Sequence, residues 1–314
     1  MHPENAVSEA RRSLSAGVVP TRLLYESPGQ ARTWRELAAS HSPASDRSDG
    51  TQTYSEIHSL VASMASEGPI QVVGLGCGDG WKEADLAGRL ARNGIVSSVP
   101  VDVSLPLVQV ASSRISAASG FPVERPLIID LESPGPGPGG LIDEPEGVRR
   151  VVTLYGALPW MREERVREIL QPLLRPGDFV CVSANLGLGE EGASEAVLAQ
   201  YDNAATRAWI GLLLERLGIG SSGSDLRFEL RPEDTETSGQ TIFGLLDSGQ
   251  GLSLELDGTE VAIGPDLELE LFRSTRHAPE DLASFCDRAG LRLERLAVSP
   301  SGQEGVALAL LEEE

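Results

Sequence analysis

Short apolar runs and segments with helical spacing alternate between residues 70 and 186 of this 314-residue chain. The apolar runs predict five strands, at 70–73, 95–101, 126–129, 150–155 and 176–183. After the first run, Leu86 and Leu90 stand four residues apart, which is the spacing of one helix face. Strands that alternate with helices form βαβ units, so this pattern predicts an α/β fold with a mostly parallel, Rossmann-like sheet.

The pattern changes after a long predicted helix at 193–217. Polar and apolar residues then alternate with a period of two in short segments bounded by turns. This alternation predicts an antiparallel sheet rather than further βαβ units. The predicted strands are 227–231, 240–247, 252–256, 261–263 and 267–272.

A helix at 279–289 and strands at 291–298 and 305–311 follow, and we expect them to complete the first sheet. Helices are predicted within residues 1–37, and a polar loop at 40–53 follows them. We therefore predict three parts in the chain. They are N-terminal helices with the Rossmann-like domain at 1–187, an inserted domain at 188–271, and a C-terminal completion of the sheet at 272–314.

The densest glycine cluster lies between the first predicted strand and the helix after it. It spans residues 74–80 and is followed by Lys82, the single lysine of the sequence. Glycines at such a turn allow the backbone to approach a ligand closely, although a tight turn with an exposed lysine is the alternative. A dinucleotide fingerprint is excluded, because Asp79 and Trp81 stand where its third glycine would be. A phosphate loop is excluded too, since Glu83 follows the lysine in place of serine or threonine.

Two predicted strands end in a carboxylate, Asp102 after the second strand and Asp130 after the third. In doubly wound folds an acidic residue at the first of these places accepts the hydroxyls of a ribose. Both carboxylates should lie at one edge of the sheet, beside one nucleoside. The pattern suits S-adenosylmethionine, which has a ribose, no phosphate, and an amino acid tail whose carboxylate could meet Lys82.

Six sequence strings resemble, in their order, the histidine-specific S-adenosylmethionine methyltransferase family of the ergothioneine pathway. They are Gly76-Cys77-Gly78 with Lys82 four residues on, 99–104, Asp130, 174–178, 201–205 and 274–277. The resemblance spans nearly the whole chain and implies a class I methyltransferase sheet whose inserted domain covers the substrate. It implies cofactor contacts from Gly76, Gly78, Lys82, Asp102, Asp130 and Leu131. Gly74 departs from the acidic residue that usually precedes these glycines, which would weaken the grip on the methionine portion.

The resemblance also implies that Tyr25 and Tyr201 lie in or near the substrate pocket, and we take them as candidate catalytic residues. Methyl transfer is an in-line displacement, so the protein must align a neutral nucleophile and exclude water. A tyrosine hydroxyl can orient the lone pair of an amine acceptor. Core packing with a satisfied hydroxyl is the alternative for each tyrosine.

The histidine-recognition motifs of that family are broken in this chain. A segment without asparagine, 155–161, stands where the family has Gly-Asn, and the family's Tyr-Tyr-Pro-Thr-Arg has no counterpart within 39–54. Phe272-Arg273-Ser274 stands where the family has Glu-x-Ser. Each lost polar contact costs about 1 to 3 kcal/mol, so we predict a less polar acceptor than histidine. The candidate pocket residues are Tyr25, Trp160, Met161, Tyr201, Phe272 and Ser274.

The net charge of −21 disfavours nucleic acid as a partner, because phosphates would be repelled. No apolar run is long enough to predict a membrane span. Three widely spaced cysteines favour a reducing cytoplasm over a disulfide scaffold, and four scattered histidines predict surface or capping positions and no metal site.

The sequence predicts a small-molecule methyltransferase that acts on an amine of an amino acid or alkaloid-like metabolite. Two alternatives stay open. One is an O- or C-methyltransferase of the same fold, and the other is a cofactor-binding scaffold that has lost transfer or catalyses a rearrangement. The substrate, the number of methyl groups and the oligomeric state are not determined by the sequence.

Overall fold

The computed structural model describes most of the chain, in eleven ranges. They are residues 3–45, 48–65, 68–94, 96–123, 125–133, 137–143, 146–187, 193–219, 226–232, 239–256 and 258–312. The α-helices within these ranges are α1 (Pro3–Ser15), α2 (Pro28–His41), α3 (Gly50–Met64), α4 (Trp81–Leu90), α5 (Leu105–Ser119), α6 (Glu163–Leu170), α7 (Ala193–Tyr201), α8 (Ala204–Arg216) and α9 (Pro279–Arg288). Short 3-10 helices lie at Thr21–Leu24 and Gly139–Leu141.

The strands of the described residues form two larger sheets and a hairpin. The first five are β1 (Ile70–Leu75), β2 (Val96–Asp102), β3 (Leu127–Ile128), β4 (Arg149–Tyr155) and β5 (Phe179–Asn185). The next five are β6 (Leu226–Pro232), β7 (Gln240–Asp247), β8 (Leu252–Leu256), β9 (Thr259–Ile263) and β10 (Glu268–Arg276). The last two are β11 (Arg292–Val298) and β12 (Glu304–Leu310).

The main sheet has seven strands in the order β11-β12-β5-β4-β1-β2-β3. Strands β1 to β5 are parallel, whereas β12 is antiparallel to both β5 and β11. The strand order reverses on the two sides of β1, which is where doubly wound sheets bind ligands. The predicted Rossmann-like α/β fold is confirmed, as is its completion by the last two strands.

Both faces of the main sheet are covered, which explains its continuous apolar strands. Successive residues of β1 point to opposite faces, so Val72 packs in the core beside α3 to α5 while Val73 packs in the core beside α6 and α9. All six residues of β1 are buried. Burial of each such aliphatic side chain contributes about 1.5 to 3 kcal/mol to stability, so this strand anchors the turn that follows it.

The remaining strands form an antiparallel sheet, β10-β7-β6, and the hairpin β8-β9. We call these five strands together with α8 the cap. Its core includes Trp209 of α8 and also residues of α1 and the first 3-10 helix, such as Leu14 and Leu23. The predicted division of the chain into parts 1–187, 188–271 and 272–314 stays a prediction. Strand β10 crosses the second of these boundaries, since it extends past residue 271 to Arg276. Residues near the N-terminus also share the core of the cap.

Hydrogen bonds join the end of β10 to the main sheet. The Thr275 N–H donates to the Pro159 carbonyl (2.5 Å), and the His277 N–H donates to the Asn185 carbonyl (2.9 Å) at the end of β5. The Gly187 N–H donates in turn to His277 O (2.9 Å). These contacts hold the cap over the carboxyl ends of β4 and β5.

Two predicted segments differ from the structure. The helix expected at 193–217 is two helices, because Asn203 caps α8 by accepting a hydrogen bond from the Thr206 N–H (3.0 Å). The loop expected at 40–53 is also wrong in part, since α3 begins at Gly50. A Cβ at Gly50 would lie 2.5 Å from Pro43 O, so packing requires a glycine at this position. Glycine disfavours a helix, which is why the sequence did not indicate one here. None of the described helices has the length and apolar character to cross a membrane.

Candidate functional site

A cavity lies at the carboxyl ends of the central strands, between the main sheet and the cap. Its walls come from the turn after β1, the ends of β2, β3 and β4, the segment 21–44, and β10. The sequence-predicted residues that line it are Gly76, Gly78, Lys82, Asp102, Asp130, Leu131, Tyr25, Trp160, Tyr201, Phe272 and Ser274. These residues come from segments far apart in the sequence, and the fold brings them together around one cavity.

The glycine turn after β1 is held against the end of β2. Gly76 and Gly78 have φ of +67° and +54°, in the left-handed region that favours glycine. The Gly78 N–H donates to Asp102 Oδ2 and the Ser104 N–H donates to Oδ1, each at 2.9 Å. Burial raises the pKa of Asp102, although these backbone donors oppose the shift. The carboxylate thus fixes the turn and still faces the cavity.

Gly74 lacks a side chain because another carboxylate occupies the adjacent space. A Cβ at Gly74 would lie 2.9 Å from Glu83 Cγ and 3.3 Å from Glu83 Oε1. Glu83 is only 2% exposed, lines the cavity, and accepts a hydrogen bond from Thr153 Oγ1 at 2.9 Å. A carboxylate from the first turn of α4 therefore lies beside Gly74.

Lys82 extends from α4 into a group of aromatic rings. Its Nζ lies 4.7 Å from the centre of the Tyr54 ring and 5.7 and 5.8 Å from those of Tyr155 and Trp81. Lys82 forms no ion pair with any described residue. Burial lowers its pKa, while Glu304, Glu83 and other carboxylates raise it. A cation held by rings and without a carboxylate partner is suited to an anionic ligand group.

The aromatic group is fixed from behind by polar side chains. His58, expected at a surface or capping position, is instead fully buried. Its Nε2 lies 2.8 Å from the Tyr155 hydroxyl, and its Nδ1 lies 2.7 Å from Asp85 Oδ2. Burial lowers the pKa of His58. The Tyr54 hydroxyl donates to Glu304, whose Oε2 has no hydrogen-bond partner in the described part of the chain.

Glu83 and Glu304 make the stability of the protein depend on pH. Burial raises the pKa of each carboxyl from 4.5 to about 7. A raised pKa in the folded state favours the protonated form, so their contribution is full below about pH 4.5 and is lost as the pH rises through about 7. We expect Glu83→Gln to stabilise the protein at pH 8 by roughly 1 to 3 kcal/mol and to change little at pH 5.

Urea denaturation of Glu83→Gln and the parent at both pH values measures this difference. Glu56→Gln is the control, because Glu56 is exposed and pairs with Arg295. An equal effect of Glu83→Gln at both pH values would mean that the buried carboxyl does not titrate in this range.

The end of β3 contributes the remaining predicted cofactor residues. Asp130 Oδ1 accepts from the Glu132 N–H and Oδ2 accepts from Ser133 Oγ, both at 3.0 Å. Leu131 is 4% exposed and, with Trp160, lies on the side of the cavity next to Gly76. Contact of these residues with a cofactor stays a prediction.

The cap side of the cavity is built around Tyr201. Its hydroxyl lies 2.9 Å from Ser274 Oγ, and its ring centre lies 5.8 Å from that of Phe272. Tyr25 packs against Trp209, with ring centres 5.3 Å apart, and burial raises the pKa of Tyr25. Tyr25 therefore lines the cavity and also packs against the core of the cap, whereas Tyr201 lines the cavity with its hydroxyl beside Ser274.

Met161 does not lie with the other predicted pocket residues. It is 4% exposed and belongs to the core between the main sheet and α6. The N–H groups of Trp160 and Met161 both donate to Ala157 O (3.2 and 2.9 Å), and this tight turn sends the two side chains to different places. Met161 is therefore not a wall of this cavity.

Several lining residues were not found from the sequence. Trp34 of α2 packs so closely on the turn that a Cβ at Gly78 would lie 2.8 Å from its ring. Asn185 and Arg276 line the cavity from the ends of β5 and β10. Asn185 near the end of a predicted strand was a usable signal, and Arg276 lies in the string 274–277 that carries the resemblance, but no local pattern marks Trp34.

Comparisons with known proteins give likenesses in fold only. No protein-family model matches the chain, and no curated sequence is significantly similar to it. The magnesium protoporphyrin IX methyltransferase of Synechocystis PCC 6803, solved with S-adenosylhomocysteine, is 14% identical, with a TM-score of 0.43, and the match covers 89% of this chain and 93% of that one. A 1,6-didemethyltoxoflavin N1-methyltransferase of Burkholderia thailandensis is 13% identical (TM-score 0.42; 90% and 89% covered).

The CcbJ methyltransferase of Streptomyces caelestis is 16% identical, with a TM-score of 0.40, and the match covers 82% of this chain and 89% of that one. At such values the likenesses carry no argument about activity. The resemblance to the histidine-specific family stays a prediction.

Proposed function

We propose that this protein is a methyltransferase that uses S-adenosylmethionine and acts on a small molecule. The observation that carries this proposal is the convergence of the glycine turn, Lys82, Asp102 and Asp130 on one cavity at the switch point of the sheet. Clefts of this kind are where doubly wound folds bind nucleoside ligands. The residues fit this cofactor, because the site has a carboxylate for a ribose and an unpaired cation but no phosphate loop.

Each part of the cofactor has a matching group. Asp102 is placed to accept the ribose hydroxyls, and Lys82 to pair with the carboxylate of the amino acid tail. Glu83, beside Gly74, is placed to accept from the ammonium of that tail. When bound, the cofactor supplies an electrophilic methyl group.

The cap supplies the acceptor side of the site. Tyr201 and Ser274 place two hydroxyls beside the apolar wall of Phe272, so an amine can be oriented by hydrogen bonds while its body packs on rings. Trp34 and the cap cover the cavity and exclude water from the reacting groups. The side chains need only align a neutral nucleophile, since the displacement requires no strong base.

The scaffold alternative rested on the missing acidic residue at Gly74 and on the altered substrate pocket. The Glu83 carboxylate beside Gly74 argues against the first of these two reasons. The O- and C-methyltransferase alternatives differ only in the acceptor atom, which mass analysis of the product identifies.

Histidine is expected to be a poor acceptor. Phe272 offers no acceptor for an imidazole N–H, whereas a ring or aliphatic side chain gains about 1.5 to 3 kcal/mol from full burial against this wall. We expect transfer from labelled S-adenosylmethionine to tryptophan, tyrosine or an apolar amine to exceed transfer to histidine by at least roughly tenfold.

The variant Phe272→Glu tests the cause of this selectivity. It should gain turnover of histidine while it loses turnover of the apolar acceptors. Efficient methylation of histidine by the parent protein would overturn the proposed acceptor class without affecting the proposed cofactor.

A further inference from the structure

Arg276, at the end of β10, is a buried cation without a carboxylate partner. It is 2% exposed and lines the cavity. Its guanidinium donates to two neutral acceptors, Leu186 O (3.2 Å) and the Gln200 side chain, and lies 5.5 Å from the centre of the Tyr201 ring. Its Nε has no hydrogen-bond partner, and no described carboxylate forms an ion pair with it.

A second buried arginine in this chain shows the usual arrangement. Arg150 is 1% exposed, and its Nη2 lies 2.9 Å from Asp178 Oδ2. A buried charge normally requires such a partner, because transfer of an unpaired ion from water into a protein interior is costly. Arg276 therefore lacks a partner that the protein supplies to Arg150.

The surroundings of Arg276 form a polar end of the cavity. Asn185 lines the cavity, and its side-chain amide makes no hydrogen bond with the described residues. The hydroxyls of Tyr201 and Ser274 lie nearby on the same wall. Glu304 is close enough for Arg276 to lower its pKa, but the two form no ion pair. This end of the cavity thus combines a buried cation with neutral polar side chains.

We propose that Arg276 binds a carboxylate of the acceptor substrate, so that the substrate is an amino acid rather than a simple amine. This inference rests on the proposed function and narrows it. A carboxylate pairs with a guanidinium through strong, charge-assisted hydrogen bonds, and Asn185 is placed to donate a further one.

The layout of β10 gives the substrate an orientation. Phe272, Ser274 and Arg276 alternate along the strand and share one face, so an apolar wall, a hydroxyl and a cation follow each other. The α-carbons of Phe272 and Arg276 stand about 13 Å apart at the usual rise of a strand. An aromatic amino acid fits this arrangement, with its ring against Phe272, its amine near Ser274 and its carboxylate at Arg276.

The cofactor carboxylate is the competing occupant of Arg276. Lys82 is the better candidate for that group, because it extends from the turn that holds the cofactor, whereas Arg276 belongs to the cap. Lys82 is therefore assigned to the carboxylate of the cofactor, and Arg276 to a carboxylate of the substrate on the other side of the cavity.

Matched pairs that differ only in a carboxylate test the proposal. We would measure binding of tryptophan and tryptamine, tyrosine and tyramine, and phenylalanine and phenethylamine to the full-length protein saturated with S-adenosylhomocysteine. The parent should bind the amino acid of at least one pair about 10- to 100-fold more tightly than the amine. Arg276→Gln should abolish this preference, and Arg276→Lys should restore part of it.

Arg273→Gln is the matched control, because Arg273 lies on the same strand, lines the cavity, and already pairs with Glu270 at 2.6 Å. It should keep the preference of the parent. The proposal is overturned if no amino acid binds more tightly than its amine in the parent, or if Arg276→Gln keeps the preference.

Binding of S-adenosylhomocysteine alone tests the proposed function separately from the role of Arg276. Its affinity should be the same for Arg276→Gln and the parent, and a loss in the variant would assign Arg276 to the cofactor instead. If the parent fails to bind it, the proposed function itself is wrong.

Discussion

Replacing Asp102 by alanine is expected to weaken the binding of S-adenosylhomocysteine by at least about 100-fold. Two hydrogen bonds from the ribose hydroxyls to a carboxylate contribute roughly 1.5 to 3 kcal/mol each, and each 1.4 kcal/mol is a factor of ten in affinity. The variant also removes the acceptor for the Gly78 N–H, so the turn loses its anchor to β2. Isothermal titration calorimetry measures the change directly.

A second ligand and a second variant show which part of the cofactor each residue holds. Methylthioadenosine has the nucleoside of S-adenosylhomocysteine but lacks its amino acid tail. Lys82→Met should weaken only S-adenosylhomocysteine, by about 10- to 100-fold, whereas Asp102→Ala should weaken both ligands. Asp143→Asn, an exposed change outside the cavity, should alter neither. Parental affinity in Asp102→Ala would show that the ribose lies elsewhere.

Replacing Asp178 by alanine is expected to lower the free energy of unfolding by about 3 to 5 kcal/mol. Asp178 accepts from the Arg150 N–H (3.0 Å), from Arg150 Nε (3.0 Å) and from the Arg175 N–H (2.9 Å). Its loss leaves the buried guanidinium of Arg150 without its carboxylate. Urea denaturation of the variant and the parent measures this change.

The double variant Arg150→Met with Asp178→Leu shows whether the protein is destabilised by the loss of the ion pair or by the unpaired arginine that remains in Asp178→Ala. It removes both buried charges, so it should recover much of the stability that Asp178→Ala loses. The pair lies at the amino ends of β4 and β5, opposite the cavity, and affinity for S-adenosylhomocysteine should stay parental in folded protein. A loss below about 1 kcal/mol in Asp178→Ala would mean that water compensates the arginine.

Local signals were sufficient to predict the main sheet and the wall of the cavity that the glycine turn, Asp102 and Asp130 form. The apolar runs before Gly74 and Asp102 are long and bounded, and parallel strands place their carboxyl ends at one edge. Once the strands are assigned, the proximity of Asp102 to the glycine turn follows from connectivity alone. The start of α3 was missed because no local signal marks it. Its first turn is polar, and its glycine is required by the close approach of Pro43 O.

The cap side of the cavity could be predicted only in part, because its chemistry depends on contacts between distant segments. Phe272 and Ser274 were found through a resemblance. Arg276 lies in one of the resembling strings, but only the fold shows that it is buried without an ion-pair partner among the described residues. Met161 and Trp160 are neighbours in sequence, and a single turn separates them into a core and a cavity. The sequence alone does not indicate whether a charged or aromatic side chain will lie in the core or in the cavity.

The contact between Gly74 and Glu83 makes these two positions interdependent. A side chain at 74 would collide with Glu83, and removal of the Glu83 carboxylate alone would leave position 74 without a carboxylate beside it. Substitutions at the two positions should therefore show epistasis in affinity for S-adenosylhomocysteine. Each should weaken this affinity alone, and an aspartate at 74 should be tolerated only when residue 83 is small. A carboxylate on a helix thus occupies the space beside a strand residue, so a profile that scores positions 74 and 83 separately will miss their dependence on each other.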